Sequence, residues 1–176
     1  MRSLNLAVGR RGHVRIHITK KGTRSQLACV RSDGTQVVAD LGPNLPYHDL
    51  AHFVVEREFQ LQHGFFANIA RGYSPTQLSD KGVILSLGSE PYRAEILARG
   101  LAALATGACD SDQFEELVNA ELSRLRVSSM SIPTQVREAM MLEFKSLRDR
   151  YACLQEGESL NLEFDVEINE PLSSRN

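Results

Sequence analysis

Three polar residues spaced four apart, His48, His52 and Glu56, are where this sequence is equipped to do chemistry. In a helix of 3.6 residues per turn they fall within about 80° of one another, on a single stripe. Two imidazoles at i and i+4 can share one divalent metal ion, the geometry of the H-E-x-x-H zinc helix, and a carboxylate one turn further supplies a third donor. Zinc, manganese and nickel all accept such a set. Asp49 adds a carboxylate at the edge of the stripe, where it would support the ligands from behind. The spacing is H-x-x-x-H-x-x-x-E, with no Glu directly after the first His, so the pattern does not support a zincin.

A structural role competes with the metal. The helix that carries the stripe is otherwise apolar, with Leu50, Phe53, Val54, Val55, Phe59 and Leu61 over most of its circumference, and such a helix is buried. Buried polar groups cost free energy unless they are paired. His48, His52 and Glu56 would then hydrogen-bond to one another, to a sheet or to Arg side chains, and pin the helix in place. Under either account Glu56, between Phe53, Val55 and Phe59, is at least partly buried and needs a donor, with His52 one turn away as the first choice. His63 joins the same face if the helix runs unbroken, with the last carbonyls as its expected partners and Gly64 as the stop.

The surroundings of the stripe divide the chain into three regions. Residues 1–42 read as β: Val14, Ile16 and Ile18 alternate with His13, Arg15, His17 and Thr19, and Lys21-Gly22 and Asp33-Gly34 mark turns that separate further short antiparallel strands. Residues 43–154 read as about five helices. The first opens at Pro43-Asn44-Leu45-Pro46 and runs to about His63. A short one over Phe65–Arg71 follows, and Ser74-Pro75-Thr76-Gln77 has the residues of a capping box. The others span Glu90 to Thr106, Asp110 to Arg126, and Pro133 to Leu154, the last with a core stripe at Val136, Met140, Phe144, Leu147, Tyr151 and Leu154. Residues 158–169 alternate strictly, Leu160, Leu162, Phe164, Val166 and Ile168 against Asn161, Glu163, Asp165, Glu167 and Asn169. That polar face is acidic where the face of residues 13–19 is basic, and opposite charges on facing strands stabilise a pair by about 0.2–1 kcal/mol. The last strand is therefore expected to join the N-terminal sheet. Residues 1–170 then form one α+β domain, and 171–176 a frayed tail.

Composition narrows the function classes. Twenty Lys+Arg against 22 Asp+Glu gives a net charge of −2, so no basic excess draws the chain to nucleic acid. The locally basic residues 9–24 lack aromatic neighbours for base stacking, which also argues against nucleic acid. The start of the chain lacks the apolar run of a signal peptide, and Gly82–Gly88, the most apolar short run, is far below the roughly 20 residues of a membrane helix. A cytoplasmic protein is expected, with Cys29, Cys109 and Cys153 as reduced thiols packed like small hydrophobes, since they form no C-x-x-C pair. Gly82–Gly88 lacks the Lys-Ser/Thr ending of a phosphate loop, and Ser128–Ser131 lacks the Gly-x-Ser-x-Gly of a hydrolase elbow.

His48-Asp49-Leu50-Ala51-His52-Phe53-Val54-Val55-Glu56, followed by Gly64-Phe65-Phe66 and Ala70-Arg71-Gly72, resembles the central motif of a family of small bacterial proteins. That family shares an H-D-L-x-H-[FY]-x-V-E helix, a Gly-Phe-[FW] step and a β-rich N-terminus with an Asp-Gly turn. The similarity covers about the first 75 residues and implies that the motif is the family's centre, without an established activity. On sequence alone the balance favours a non-enzymatic interaction or oligomerisation module. Its amphipathic helices would carry Leu97, Leu101, Leu104, Leu117 and Leu122 toward a protein partner or a second copy. The alternative is a metal-binding protein or metal-dependent enzyme built on the His48, His52 and Glu56 face.

Overall fold

The computed structural model describes residues 10–43 and 45–168; the expectations for the first eight residues and for the tail at 171–176 lie outside them. Strands β1 (Arg10–Lys21), β2 (Arg24–Arg31), β3 (Gln36–Leu41) and β4 (Ser159–Ile168) form one antiparallel sheet in the order β3-β2-β1-β4. The C-terminal strand thus lies beside the first, as the charge patterns predict. Arg15 faces Glu163 and Arg11 faces Glu167 across this pair. His13 Nδ1 lies 2.9 Å from Asp165 Oδ1, and His17 Nδ1 2.6 Å from Asn161 Oδ1. The opposite face of the same strands carries Val14, Ile16, Ile18, Leu160, Phe164 and Val166, all buried.

The described residues also form six helices, α1 (Leu45–Glu58), α2 (Phe65–Ala70), α3 (Lys81–Ser86), α4 (Glu90–Thr106), α5 (Phe114–Arg124) and α6 (Thr134–Ala152), on the apolar side of the sheet. Together with the sheet they make an α+β fold. Helices α1, α2 and α6 touch the sheet, α4 packs on the far side of α1, and α5 packs on α4. Pro46 sits in the first turn of α1, where a missing N–H removes no intrahelical bond. The expected stripe of α6 is in place, with Met140, Phe144, Leu147 and Tyr151 buried.

Helix α1 ends at Glu58, not near His63. Leu61 N–H donates to Glu56 O at 3.0 Å and Gln60 N–H to Arg57 O at 3.4 Å, the paired bonds of a Schellman cap, with Gln60 at φ 49°. A left-handed non-glycine residue costs about 1–2 kcal/mol. The turn it makes drives Leu61 into the core and folds the chain back over the end of α1. His63 therefore leaves the helix face, and its backbone N–H binds Glu90 Oε2 at 2.7 Å.

Gly64 is likewise not a helix stop. It is the N-cap of α2, at an ordinary φ of −71°. Three of the leucines expected to extend an outer apolar surface, Leu97, Leu101 and Leu122, are in the core. Of the thiols, Cys29 and Cys109 are buried as expected, whereas Cys153 is exposed just past the end of α6.

Residues 74–88 connect α2 to α4 and place Leu78 and Ile84 beside residues of α1, α2 and α4. Ser74 and Gln77 form the expected capping box, Ser74 N–H donating to Gln77 Oε1 at 2.8 Å and Gln77 N–H to Ser74 Oγ at 3.2 Å, but it opens only a single 3-10 turn, Gln77–Ser79. Asp80 then caps α3, its Oδ1 accepting from Gly82 N–H at 2.8 Å and Val83 N–H at 3.0 Å. None of the residues of the 3-10 turn or of α3 is fully buried. Glycines with positive φ bracket the segment, Gly72 at 108° and Gly88 at 83°.

Candidate metal centre

Helix α1 buries Leu50, Ala51, Phe53, Val54 and Val55 and turns its polar stripe toward α4 and α2. His48 is half-buried and His52 nearly fully buried, their rings edge-to-face with centroids 4.7 Å apart. From α4 comes a group that the sequence analysis did not single out, Glu95. Its Oε2 lies 3.3 Å from His48 Nε2 and 3.2 Å from His52 Nε2. His48, His52 and Glu95 each offer one ligand atom, and all three atoms lie within 4.8 Å of one another. Around a tetrahedral zinc ion with bonds of about 2.0–2.1 Å, neighbouring donors stand about 3.3–3.4 Å apart, so both measured separations match an edge of that polyhedron.

Glu56, expected as the third ligand, is occupied elsewhere. It is fully buried, and its Oε1 accepts the Phe65 N–H at 2.6 Å while Oε2 accepts the Phe66 N–H at 2.9 Å. The same Oε1 is 3.0 Å from His52 Nδ1, the expected partner one turn back. A carboxylate anchored on two backbone N–H groups thus fixes the direction of the His52 ring, leaving Nε2 pointed at Glu95. Such a carboxylate behind a ligating histidine is a recurrent feature of metal sites. Gly64 makes this possible: a Cβ there would overlap the Glu56 carboxyl group.

The electrostatics follow from the pairing. Burial opposes a charge on His52, but its bonds to Glu56 and Glu95 outweigh burial and raise the imidazole from 6.5 to about 10. In the metal-free protein His52 is therefore protonated and donates to both carboxylates. Hydrogen bonds from His48 and then His52 hold the Glu95 carboxyl well below the usual carboxylate range. Asp49 stands apart. Burial pushes it from 3.8 up to about 6, against the pull of His52 and His48, and its Oδ2 has no hydrogen-bond partner. Burial, followed by the nearby charge of Asp49, lifts Cys29 to about 12, which makes that thiol a poor metal ligand at neutral pH.

A cavity of about 300 Å³ opens beside the three donors. Phe65, Leu78, Ile84, Pro91 and Tyr92 give it an apolar wall, and Asp49 and Asn68 add polar groups. Leu78 and Ile84 come from residues 74–88, where no residue of the 3-10 turn or of α3 is fully buried. Were these three donors to hold an ion, the adjoining open space would leave room for a water or a substrate as a further ligand, as in catalytic rather than closed structural zinc sites.

Little in the sequence singles out Glu95. It is the one charged residue in Ala94-Glu95-Ile96-Leu97-Ala98, whose other four members are buried, but its own side chain stays 44% exposed, so burial did not demand a partner for it as it did for Glu56. No family model, curated protein or solved structure matches the chain.

Proposed function

We propose that this chain binds one divalent transition-metal ion through His48, His52 and Glu95 and uses it as a Lewis acid on a small molecule in the adjoining cavity. The observation that carries this reading is the convergence of two helices on one point. Nε2 of His48 and Nε2 of His52 on α1 meet Oε2 of Glu95 on α4 at the separations of a metal's coordination edges. Support comes from Glu56, which orients His52 for ligation, and from Asp49, which stands beside the donors in the cavity wall. Two nitrogens and a carboxylate suit zinc, and manganese and nickel are accommodated by the same donors. The free thiols Cys29 and Cys109 fit a reducing compartment, and we place the protein in the cytoplasm.

An interaction module has less behind it. Among the described residues, the large apolar side chains that stay exposed are Val38, Leu85, Leu117, Leu125 and Leu142, spread over β3, α3, the α5 region and α6.

Zinc titration of the chelator-treated protein, read by elemental analysis after desalting, tests the proposal. About one equivalent is expected, with a rise in melting temperature, and with loss of uptake in His52→Ala and in Glu95→Gln. Less than about a tenth of an equivalent, with no thermal shift on adding zinc, manganese or nickel, overturns it.

A further inference from the structure

The cavity beside the donors has a chemical bias of its own. Asp49 and Asn68 both line it, and each holds a buried side-chain oxygen that accepts no hydrogen bond, Oδ2 of Asp49 and Oδ1 of Asn68. Asn68 is 1% exposed and Asp49 7%. The orientation of the Asn68 amide is set by its Nδ2, which donates to the His63 carbonyl at 2.8 Å, so the unpaired atom is the acceptor. A buried acceptor left unpaired is costly, because it has given up water without gaining a donor. Two of them in one cavity wall call for a molecule rich in N–H donors.

Charge points the same way. No Lys or Arg is among the residues that line the cavity, whereas Asp49 and Glu95 are, and Glu56 stands directly behind His52. Three carboxyl groups thus stand in or directly behind the wall with no cationic Lys or Arg side chain to offset them. The rest of the wall is apolar, and two of its members, Phe65 and Tyr92, present aromatic rings, whose faces attract cations. A cavity of about 150 Å³ holds benzene, so one of about 300 Å³ has room for a ring and a short side chain.

We propose that this cavity binds a small primary amine with an apolar body, its ammonium group donating to Asp49 and Asn68 and its tail lying against Phe65, Leu78, Ile84 and Tyr92. The inference rests on the metal-centre reading for the ligand's role, as the molecule held next to the ion, and not for its binding.

Calorimetric titration of the full chain with phenethylamine, 2-phenylethanol and 3-phenylpropanoate tests it, on zinc-loaded and on chelator-treated protein at neutral pH. Phenethylamine is expected to bind one to one in both states, at least about tenfold tighter than the alcohol or the acid. Asp49→Asn, which keeps the shape and removes the charge, is expected to weaken it by about tenfold, and Ile84→Trp, on the partly exposed α3, to fill the space and abolish binding. No binding of phenethylamine, equal binding of the acid, or unchanged affinity in both variants overturns the proposal. Zinc uptake is measured on the same samples. Zinc bound without phenethylamine sinks the amine site alone, and phenethylamine bound without zinc sinks the metal centre alone.

Discussion

Glu56 and Gly64 occupy one another's space: the carboxyl group of the first fills the volume that a side chain on the second would need. Gly64→Ala is therefore expected to push Glu56 off the Phe65 and Phe66 N–H groups. Stability falls by about 2–4 kcal/mol, as overpacking adds to lost charged hydrogen bonds, in urea or thermal unfolding. Because the φ of Gly64 is ordinary, backbone strain cannot account for such a loss. An unperturbed Gly64→Ala variant would contradict the packing described for this corner.

Glu56→Gln tests the same carboxylate without changing its size. The side chain must now present an NH₂ to a place where only donors point, Phe65 N–H, Phe66 N–H and His52 Nδ1. A loss of about 2–3 kcal/mol is expected, together with zinc affinity weaker by about 10–100-fold as His52 loses its orientation. A purely structural cluster would show the first effect in denaturation and leave zinc titration unaltered.

Asp49 works against the fold at neutral pH. Its pKa in the folded chain, about 6, exceeds the ordinary 3.8, so the protonated form is the one the structure favours. The contribution of this group to stability is fully present below about pH 4 and is lost as pH rises through about 6. Asp49→Asn is expected to stabilise the protein by about 1–3 kcal/mol at pH 7 and to flatten that part of the stability–pH curve. A destabilised variant at pH 7 would mean that the carboxylate has a partner there.

His52 has the opposite pH window. Raised from 6.5 to about 10, its protonation stabilises the metal-free fold fully below about pH 6.5, and that contribution is lost as pH rises through about 10. A metal must take the place of that proton on Nε2. Zinc uptake at pH 7 is thus expected to release about one proton from His52, measured by calorimetry in buffers of different ionisation enthalpy, and to tighten with rising pH. Proton-neutral uptake would show that zinc binds elsewhere.

The parts of the fold that were legible in the sequence are those governed by short-range periodicity. The alternation from Leu160 to Ile168 and the acidic face opposite the basic one of β1 were enough to place the last strand beside the first. The burial of Glu56 and its bond to His52 followed from the apolar residues around it. What was not legible depends on distant chain segments. Nothing near His63 announces that Gln60 will take a left-handed conformation, because the gain lies in burying Leu61. Glu95 lies on another helix, and only the packing of α4 on α1 shows that it, rather than Glu56, faces both imidazoles.

Strand β1 sits inside the sheet, yet its two neighbours come from opposite ends of the described chain. Its β2 side closes through a short turn, while its β4 side waits for a partner that the ribosome makes after every other described element. Pairing across so long a stretch is slow, because the loop entropy is lost before the contacts form. Throughout synthesis the outer edge of β1 is a bare strand edge, the kind that pairs with neighbouring chains. Arg11 and Arg15, on the solvent face beside that edge, set like charges against one another in two nascent copies until Glu167 and Glu163 of β4 arrive opposite them.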